Sequence, residues 1–271
     1  MSVSSNLRFH AFTASVLAAL LAFLSLNSLN VSAGEPVRAT GTVEPEEIVD
    51  VGPQVSGVIT SLGDDPSSPG KKIDYGSRVE AGTVLARLDN ALYRAQVEVA
   101  QAGCQRAEAQ LALARAKPGP SSVAVATVAL AQAELAQAQA VLKQAKINLG
   151  YTLIKSPIKG VIIDRRVNGG QNVTASLSAS SLFLLASDLR KLGVWASVNE
   201  KDVTRIKVGT PVTFTVDAIP KAVFQGKVIQ IRLNAQMTQN VVTYTVVVAT
   251  DNSDGKLLPY LTANVEFHTN P

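Results

Sequence analysis

Histidine, cysteine and paired acidic residues build most catalytic and metal sites, and the first two are nearly absent here. The histidines are His10 and His268, near opposite ends of the chain, and the one cysteine is Cys104. A nucleophile–histidine–acid triad needs an imidazole beside its serine or cysteine, and a zinc site needs three or four closely set ligands. Two histidines so far apart point to neither. A lone cysteine makes no intrachain disulfide, no zinc knuckle and no CxxC redox pair. The 25 Lys and Arg exceed the 21 Asp and Glu by only four, spread along the chain. Nucleic-acid binding calls for a basic stripe, so that partner class is excluded too. The expectation is a protein that is not an enzyme and holds no cofactor and no metal.

The elements that carry these residues say more. Hydrophobic residues make up 46% of the 271, but aromatics only 5%, which suits several thin modules better than one large core. Arg8 precedes an apolar run from Ala11 to Leu24, and Val31-Ser32-Ala33-Gly34 closes the segment with small residues. This is the pattern of a secretory signal peptide cleaved after Ala33, with an uncleaved anchor as the rival. A lipoprotein signal is excluded because no cysteine stands at the cleavage site. Residues beyond about 34 are therefore expected outside the cytoplasm.

Between Ala91 and Gly150, eighteen of sixty residues are alanine, and strong helix formers dominate. Lys117-Pro118-Gly119-Pro120-Ser121-Ser122 interrupts the stretch, and no helix passes through it. Val97, Cys104 and Leu111 repeat every seven residues, offset from Tyr93, Ala100, Ala107 and Ala114. In the second half, Val128, Leu135, Leu142 and Leu149 run beside Ala124, Ala131, Ala138 and Ala145. Such double rows are coiled-coil seams, so an antiparallel helical hairpin is predicted, each arm about 39 Å long at 1.5 Å per residue. Cys104 falls on the seam and reads as a small core residue.

The segments flanking the hairpin resemble each other. Pro53 to Ile59 and Arg78 to Val84 before it match Pro157 to Ile162 and Arg166 to Val173 after it. Each half is an apolar strand with a Gly-Val-Ile centre, a glycine-rich turn and a second strand. Two such halves predict a small pseudo-symmetric β-sandwich interrupted by the hairpin. An additional polar loop, Gly63 to Lys72, belongs to the first half. From Lys191 onward, period-2 alternation marks strands at Val194–Val198, Val212–Val216, Phe224–Ile231, Val241–Val248 and Thr262–Phe267. Asn199 reads as the N-cap of a short helix that Gly209 ends, and Ser253 to Lys256 as a turn. This region is predicted to be a compact antiparallel barrel.

The fold class is thus mainly β with a coiled-coil hairpin. The domains are a signal peptide or anchor (1–33), an N-terminal strand or linker (34–48), a first sandwich half (49–90), the hairpin (91–150), a second sandwich half (151–188) and a β-barrel (189–271).

This nested plan resembles the periplasmic adaptor proteins, or membrane fusion proteins, of the HlyD and macrolide-exporter type. The residues that carry the likeness are Val51-Gly52-Pro53-Gln54-Val55-Ser56-Gly57 and Ala81 to Asp89 before the hairpin. After it come Tyr151 to Val161 and Gly169-Gly170-Gln171-Asn172-Val173. In the barrel they are Val198-Asn199-Glu200-Lys201-Asp202-Val203 and Phe224-Gln225-Gly226-Lys227-Val228.

The resemblance implies a biotinyl/lipoyl-like sandwich and a role without catalysis. Such an adaptor is attached to the inner membrane directly or through its transporter, and links an inner-membrane exporter of the ABC or RND type to an outer-membrane TolC-like channel. It further implies a homo-oligomeric ring, a hairpin tip that meets the channel and a barrel that meets the pump. The shortened C-terminal part and short hairpin lean towards an ABC-type pump.

For the tip it points to Arg106 and Leu113, which share the family's seven-residue spacing, and to the turn residues Lys117, Pro118, Gly119, Pro120, Ser121 and Ser122. Three features depart from the pattern. Pro120 stands where the next slot usually holds a serine. A separate membrane-proximal domain is expected to be absent or reduced to the N-terminal strand. Tyr260-Leu261 replace a usual Gly-Met.

A lipoyl-like sandwich also raises the idea of a lysine carrying a covalent group. The carrier turn is replaced by the hairpin, so Lys155 and Lys159 read as surface charges. The Gly63–Gly70 loop reads as a disordered surface loop or a ring contact. The alternative function is an envelope-associated coiled-coil scaffold or binding protein that associates with itself and has no transporter partner.

Overall fold

The computed structural model describes residues 36–116, 122–176, 181–238 and 241–269. The signal or anchor segment and the hairpin turn 117–121 lie outside them.

The strands form two β bodies. The first is a sandwich of two four-stranded sheets, ordered β2-β9-β7-β4 and β6-β5-β3-β8. Its strands are β2 (Ile48–Val51), β3 (Gly57–Leu62), β4 (Arg78–Val79), β5 (Val84–Leu88), β6 (Leu153–Lys155), β7 (Gly160–Arg165), β8 (Asn172–Val173) and β9 (Phe183–Ala186). Each sheet takes two strands from before the hairpin and two from after it, so neither half can fold alone. Ile59, Ile73, Leu85, Ile162, Phe183 and Leu185 fill the space between the sheets, and each contributes about 1.5–3 kcal/mol by leaving water. Gly160 is required by this packing. A Cβ there would overlap the Ala186 carbonyl of the paired strand β9.

The second body is a closed barrel, β10-β1-β15-β11-β12-β14, sealed by pairing of β14 with β10. It comprises β1 (Val37–Pro45), β10 (Lys191–Asn199), β11 (Pro211–Val216), β12 (Phe224–Ile231), β14 (Val241–Asp251) and β15 (Thr262–Phe267), while the short β13 (Gln236–Thr238) adds a lip on β14. Closure leaves the barrel without a free edge. Alternation places Val212, Phe214 and Val216 of β11 and Ala263, Val265 and Phe267 of β15 inside. Phe214 stacks on Phe224 with ring centroids 5.4 Å apart.

Three details differ from the sequence reading. The strand assigned to an N-terminal strand or linker is a full stave of the barrel: β1 pairs with β10 from Thr40↔Ser197 to Pro45↔Leu192, and with β15 from Val37↔Phe267 to Thr42↔Thr262. The short helix α3 (Glu200–Val203), numbered after the two helices of the hairpin, begins after Asn199, whose side chain makes no capping bond. It ends well before Gly209, whose φ of 94° instead turns the chain into β11. The Gly63–Lys72 loop is ordered. Lys72 Nζ lies 2.6 Å from Asp64, Ser77 Oγ donates to Asp65 at 2.7 Å, and the next residue, Ile73, is fully buried.

Two short connections join the bodies, Glu46–Glu47 and Ser187–Arg190. Buried Asn252 pins the second. Its amide donates to the carbonyls of Leu189 and Leu257, both at 2.9 Å, and its side-chain oxygen accepts from Leu257 N–H at 2.8 Å. Tyr260 holds the left-handed conformation that a glycine would adopt freely (φ 66°), and its N–H donates to Val43 across the barrel rim.

Candidate functional site: the helical arm

The arm begins as an enlarged β-hairpin. Strands β5 and β6 are antiparallel neighbours, with Arg87 opposite Leu153, and α1 (Ala91–Ala116) and α2 (Ser122–Gly150) fill the place of the connecting turn. Asp89 starts α1 by accepting the Ala91 N–H at 2.9 Å. Tyr93 ties the base down, its hydroxyl donating to the Ser56 carbonyl at 2.8 Å. On the return, buried Thr152 donates to the Leu149 carbonyl at 2.7 Å and its carbonyl accepts from Leu88 N–H. The arm is therefore fixed at its root.

The predicted seam is the observed one. Ala100, Cys104, Ala107 and Leu111 of α1 and Ala131 and Ala145 of α2 are buried. The other seam positions are half-buried, and nearly everything else on both helices is exposed. Cys104 is a free, buried thiol. By length and composition α2 could cross a membrane, and its most apolar stretch is almost wholly exposed.

Of the residues singled out by resemblance, Arg106 and Leu113 share one exposed edge of α1, and Ser122 opens α2. Lys117, Pro118, Gly119, Pro120 and Ser121 lie outside the described residues. Arg106 is not at the tip. It stands about 15 Å below the end of α1, at 1.5 Å per residue. Sequence reasoning missed that Leu92, Val99 and Leu113 form one exposed row with Arg106. The signal was present, since these four positions are spaced by seven.

Lys155 sits on β6, and Lys159 pairs with Glu80 at 2.8 Å on the surface. Among the described residues no three His, Cys, Asp or Glu side chains gather as metal ligands. Carboxylates of the sandwich are held in ionised form by their neighbours. The Arg165 guanidinium bonds Asp74 at 2.9 Å and lowers its pKa, Lys72 does so for Asp64, and the Ser77 hydroxyl for Asp65. Burial, followed by the Glu44 charge, raises the Tyr260 phenol. These are structural roles, and no proton-transfer pair stands out among the described residues.

A split sandwich that extends a rooted, solvent-exposed helical arm and continues into a closed barrel defines a protein built to reach and contact. Comparison with known proteins agrees. The family description "RND MFP, barrel-sandwich hybrid domain" matches residues 47–184, and "CusB-like, beta-barrel domain" matches residues 193–271. The pyoverdine export membrane fusion protein of Pseudomonas putida is 30% identical, over 85% of this chain and 69% of its own length. Its counterpart in Pseudomonas aeruginosa is 28% identical, over 90% of this chain and 73% of its own. A crystal structure of a MacA-MexA chimeric protein carrying the Pseudomonas aeruginosa MexA α-hairpin domain superposes with a TM-score of 0.73 at 30% identity, covering 87% of this chain and 79% of that one. The chain belongs to the RND membrane fusion protein family, whose members act as periplasmic adaptors in efflux.

Proposed function

We propose that the protein bridges an inner-membrane exporter of the ABC or RND type and an outer-membrane TolC-like channel, working as a homo-oligomeric ring attached to the inner membrane. The observation that carries this reading is the rooted arm, a helical hairpin anchored through Tyr93 and Thr152 and exposed over nearly all its remaining surface. Such a lever buries little in its own chain, so its stability and its surface both await partners. The macrolide-exporter branch is favoured by the likeness to a chimaera containing MacA.

In this reading the tip, residues 117–122, meets the channel together with Leu113 and, further down the same edge of α1, Arg106; the sandwich walls the conduit, and the barrel passes pump movements on. Adaptors carry no chemistry, so neither a catalytic residue nor a cofactor is assigned.

The test is exchange of residues 117–122 for a Gly-Ser turn in the full chain. The variant keeps the helix content and melting profile of the parent, but efflux from cells expressing it as their sole adaptor is lost. Unchanged efflux removes the tip from the mechanism.

A further inference from the structure

A tyrosine in the left-handed region is an outlier that its surroundings must enforce. At Tyr260, with φ 66°, they do so. Its N–H donates to the Val43 carbonyl at 2.6 Å, and the Val43 N–H donates to the Leu261 carbonyl at 2.8 Å. Both bonds lie where β1 leaves the barrel for the sandwich, so they fix this turn at the joint between the two bodies. No local contact accounts for the strain. Tyr260 is 49% exposed, and its hydroxyl makes no hydrogen bond among the described residues.

The sandwich offers a counterpart. In β9, Phe183 and Leu185 enter the core, so Leu184 between them points outward from the sheet. Asp50 of β2 and Asp164 of β7 are paired with Leu184 on its two sides. Arg166 bonds Asp164 at 2.7 Å and reaches to 3.9 Å from Asp50. Its guanidinium thus spans Leu184, which is only 8% exposed although it faces outward. A separation of 3.9 Å is too long for a hydrogen bond, so Asp50 keeps free acceptors on an exposed side chain. The Tyr260 phenol already lies within electrostatic reach of this cluster. Burial and then the Glu44 charge raise its pKa, Arg166 pulls it down, and Asp164 and Asp50 add to the rise.

We infer that Tyr260 and Asp50 form a latch across the joint: a small closure of the barrel towards this face of the sandwich lets the phenol donate to the Asp50 carboxylate, beside the Arg166 guanidinium. A hydroxyl donating to a carboxylate is one of the stronger hydrogen bonds available to side chains. Glu46–Glu47 and Ser187–Arg190 are short, so relative motion of the bodies is a hinge about these two connections. The held turn keeps the phenol aimed while the hinge moves. The barrel therefore has two discrete positions, seated and released. This device goes beyond the adaptor reading and does not depend on it, since it belongs to the chain by itself.

Distances between spin labels test it. The full chain carries C104A, K155C and K201C, which put one label on the sandwich and one beside the barrel, both at exposed positions. This parent shows a seated and a released population. Y260F and D50A each deplete the seated population by about threefold or more. Combining them depletes it no further, because both remove the same bond. L258A, at an exposed position of the same turn, leaves the distribution as it is. Y260A keeps the backbone strain and Y260G relieves it. Y260G therefore melts higher than Y260A, while both lose the seated population; a residue that only shapes the turn would alter melting alone. The inference is overturned if the parent shows a single distance, or if Y260F and D50A leave the distribution unchanged. It is equally overturned if L258A acts as strongly as they do, or if the combined variant is depleted well beyond either single one.

Discussion

The barrel and the arm use similar aliphatic residues to opposite ends. In the barrel, Val194, Val246, Val248 and Phe267 are fully enclosed, and six staves close on themselves with nothing left to pair. In the arm, valines and leucines stand in solvent, while seven of the fifteen seam positions are alanine. Closed structure gains its stability inside the chain. The open arm is stable only at its root and along a narrow seam, and keeps its apolar surface for contacts outside. The difference separates what holds the protein together from what it offers to others.

The sharpest way to break this contrast is to truncate one side chain in each region. Phe214→Ala removes an enclosed ring stacked on Phe224 and should cost about 3–5 kcal/mol in urea unfolding. Leu130→Ala on the arm should stay within about 0.5 kcal/mol, since it leaves a position already 61% exposed. Equal losses at both sites would mean that the arm is buried in the isolated protein.

A smaller effect probes the joint between the bodies. Asn252→Ala leaves the carbonyls of Leu189 and Leu257 and the Leu257 N–H without their bonds, and should cost about 2–3 kcal/mol. The same melts report it, with the helical signal of the arm unaffected.

The smallest effect is electrostatic and lies at the same crossover. The Arg190 side chain, seconded by its backbone N–H, holds the Asp188 carboxyl at about 2, below its ordinary 3.8. A carboxylate whose folded pKa is depressed stabilises the fold above its unfolded pKa, and that contribution disappears as pH falls through the folded value. Wild type should therefore exceed D188N slightly at neutral pH, with the gap closing between about pH 4 and pH 2. A gap that widens on acidification would show that another group governs the crossover.

Much of this division was legible in the residues. The arm's seam could be read because alanine and leucine rows at seven-residue spacing leave one way for two helices to meet. The barrel strands from Val212 onward could be read because alternation at period 2 marks an inside and an outside. Pairing partners are another matter. Nothing local in Val37–Pro45 says that its neighbours are Leu192–Ser197 on one side and Thr262–Phe267 on the other, because that choice is made by closure of the whole barrel. The three-residue β13 is too short for any periodicity to show, and its place is set by β14 alone. The extent of α3 was overread because Asn199 suits a cap it does not make. The exposed row of α1 was hidden for a different reason. Leu92, Val99, Arg106 and Leu113 repeat at seven-residue spacing, but a row beside the seam shows its exposure only once the pairing of the two helices is fixed.

The proposal at stake is that the arm meets an outer-membrane channel while the barrel meets an inner-membrane transporter. Co-isolation from cross-linked cell envelopes addresses it directly, comparing the wild type with the chain whose residues 117–122 are replaced by a Gly-Ser turn. The account predicts that an inner-membrane transporter and an outer-membrane channel both accompany the wild type, and that the replaced chain keeps the transporter and loses the channel. Recovery of neither protein with the wild type, or an undiminished channel with the replaced chain, would contradict it.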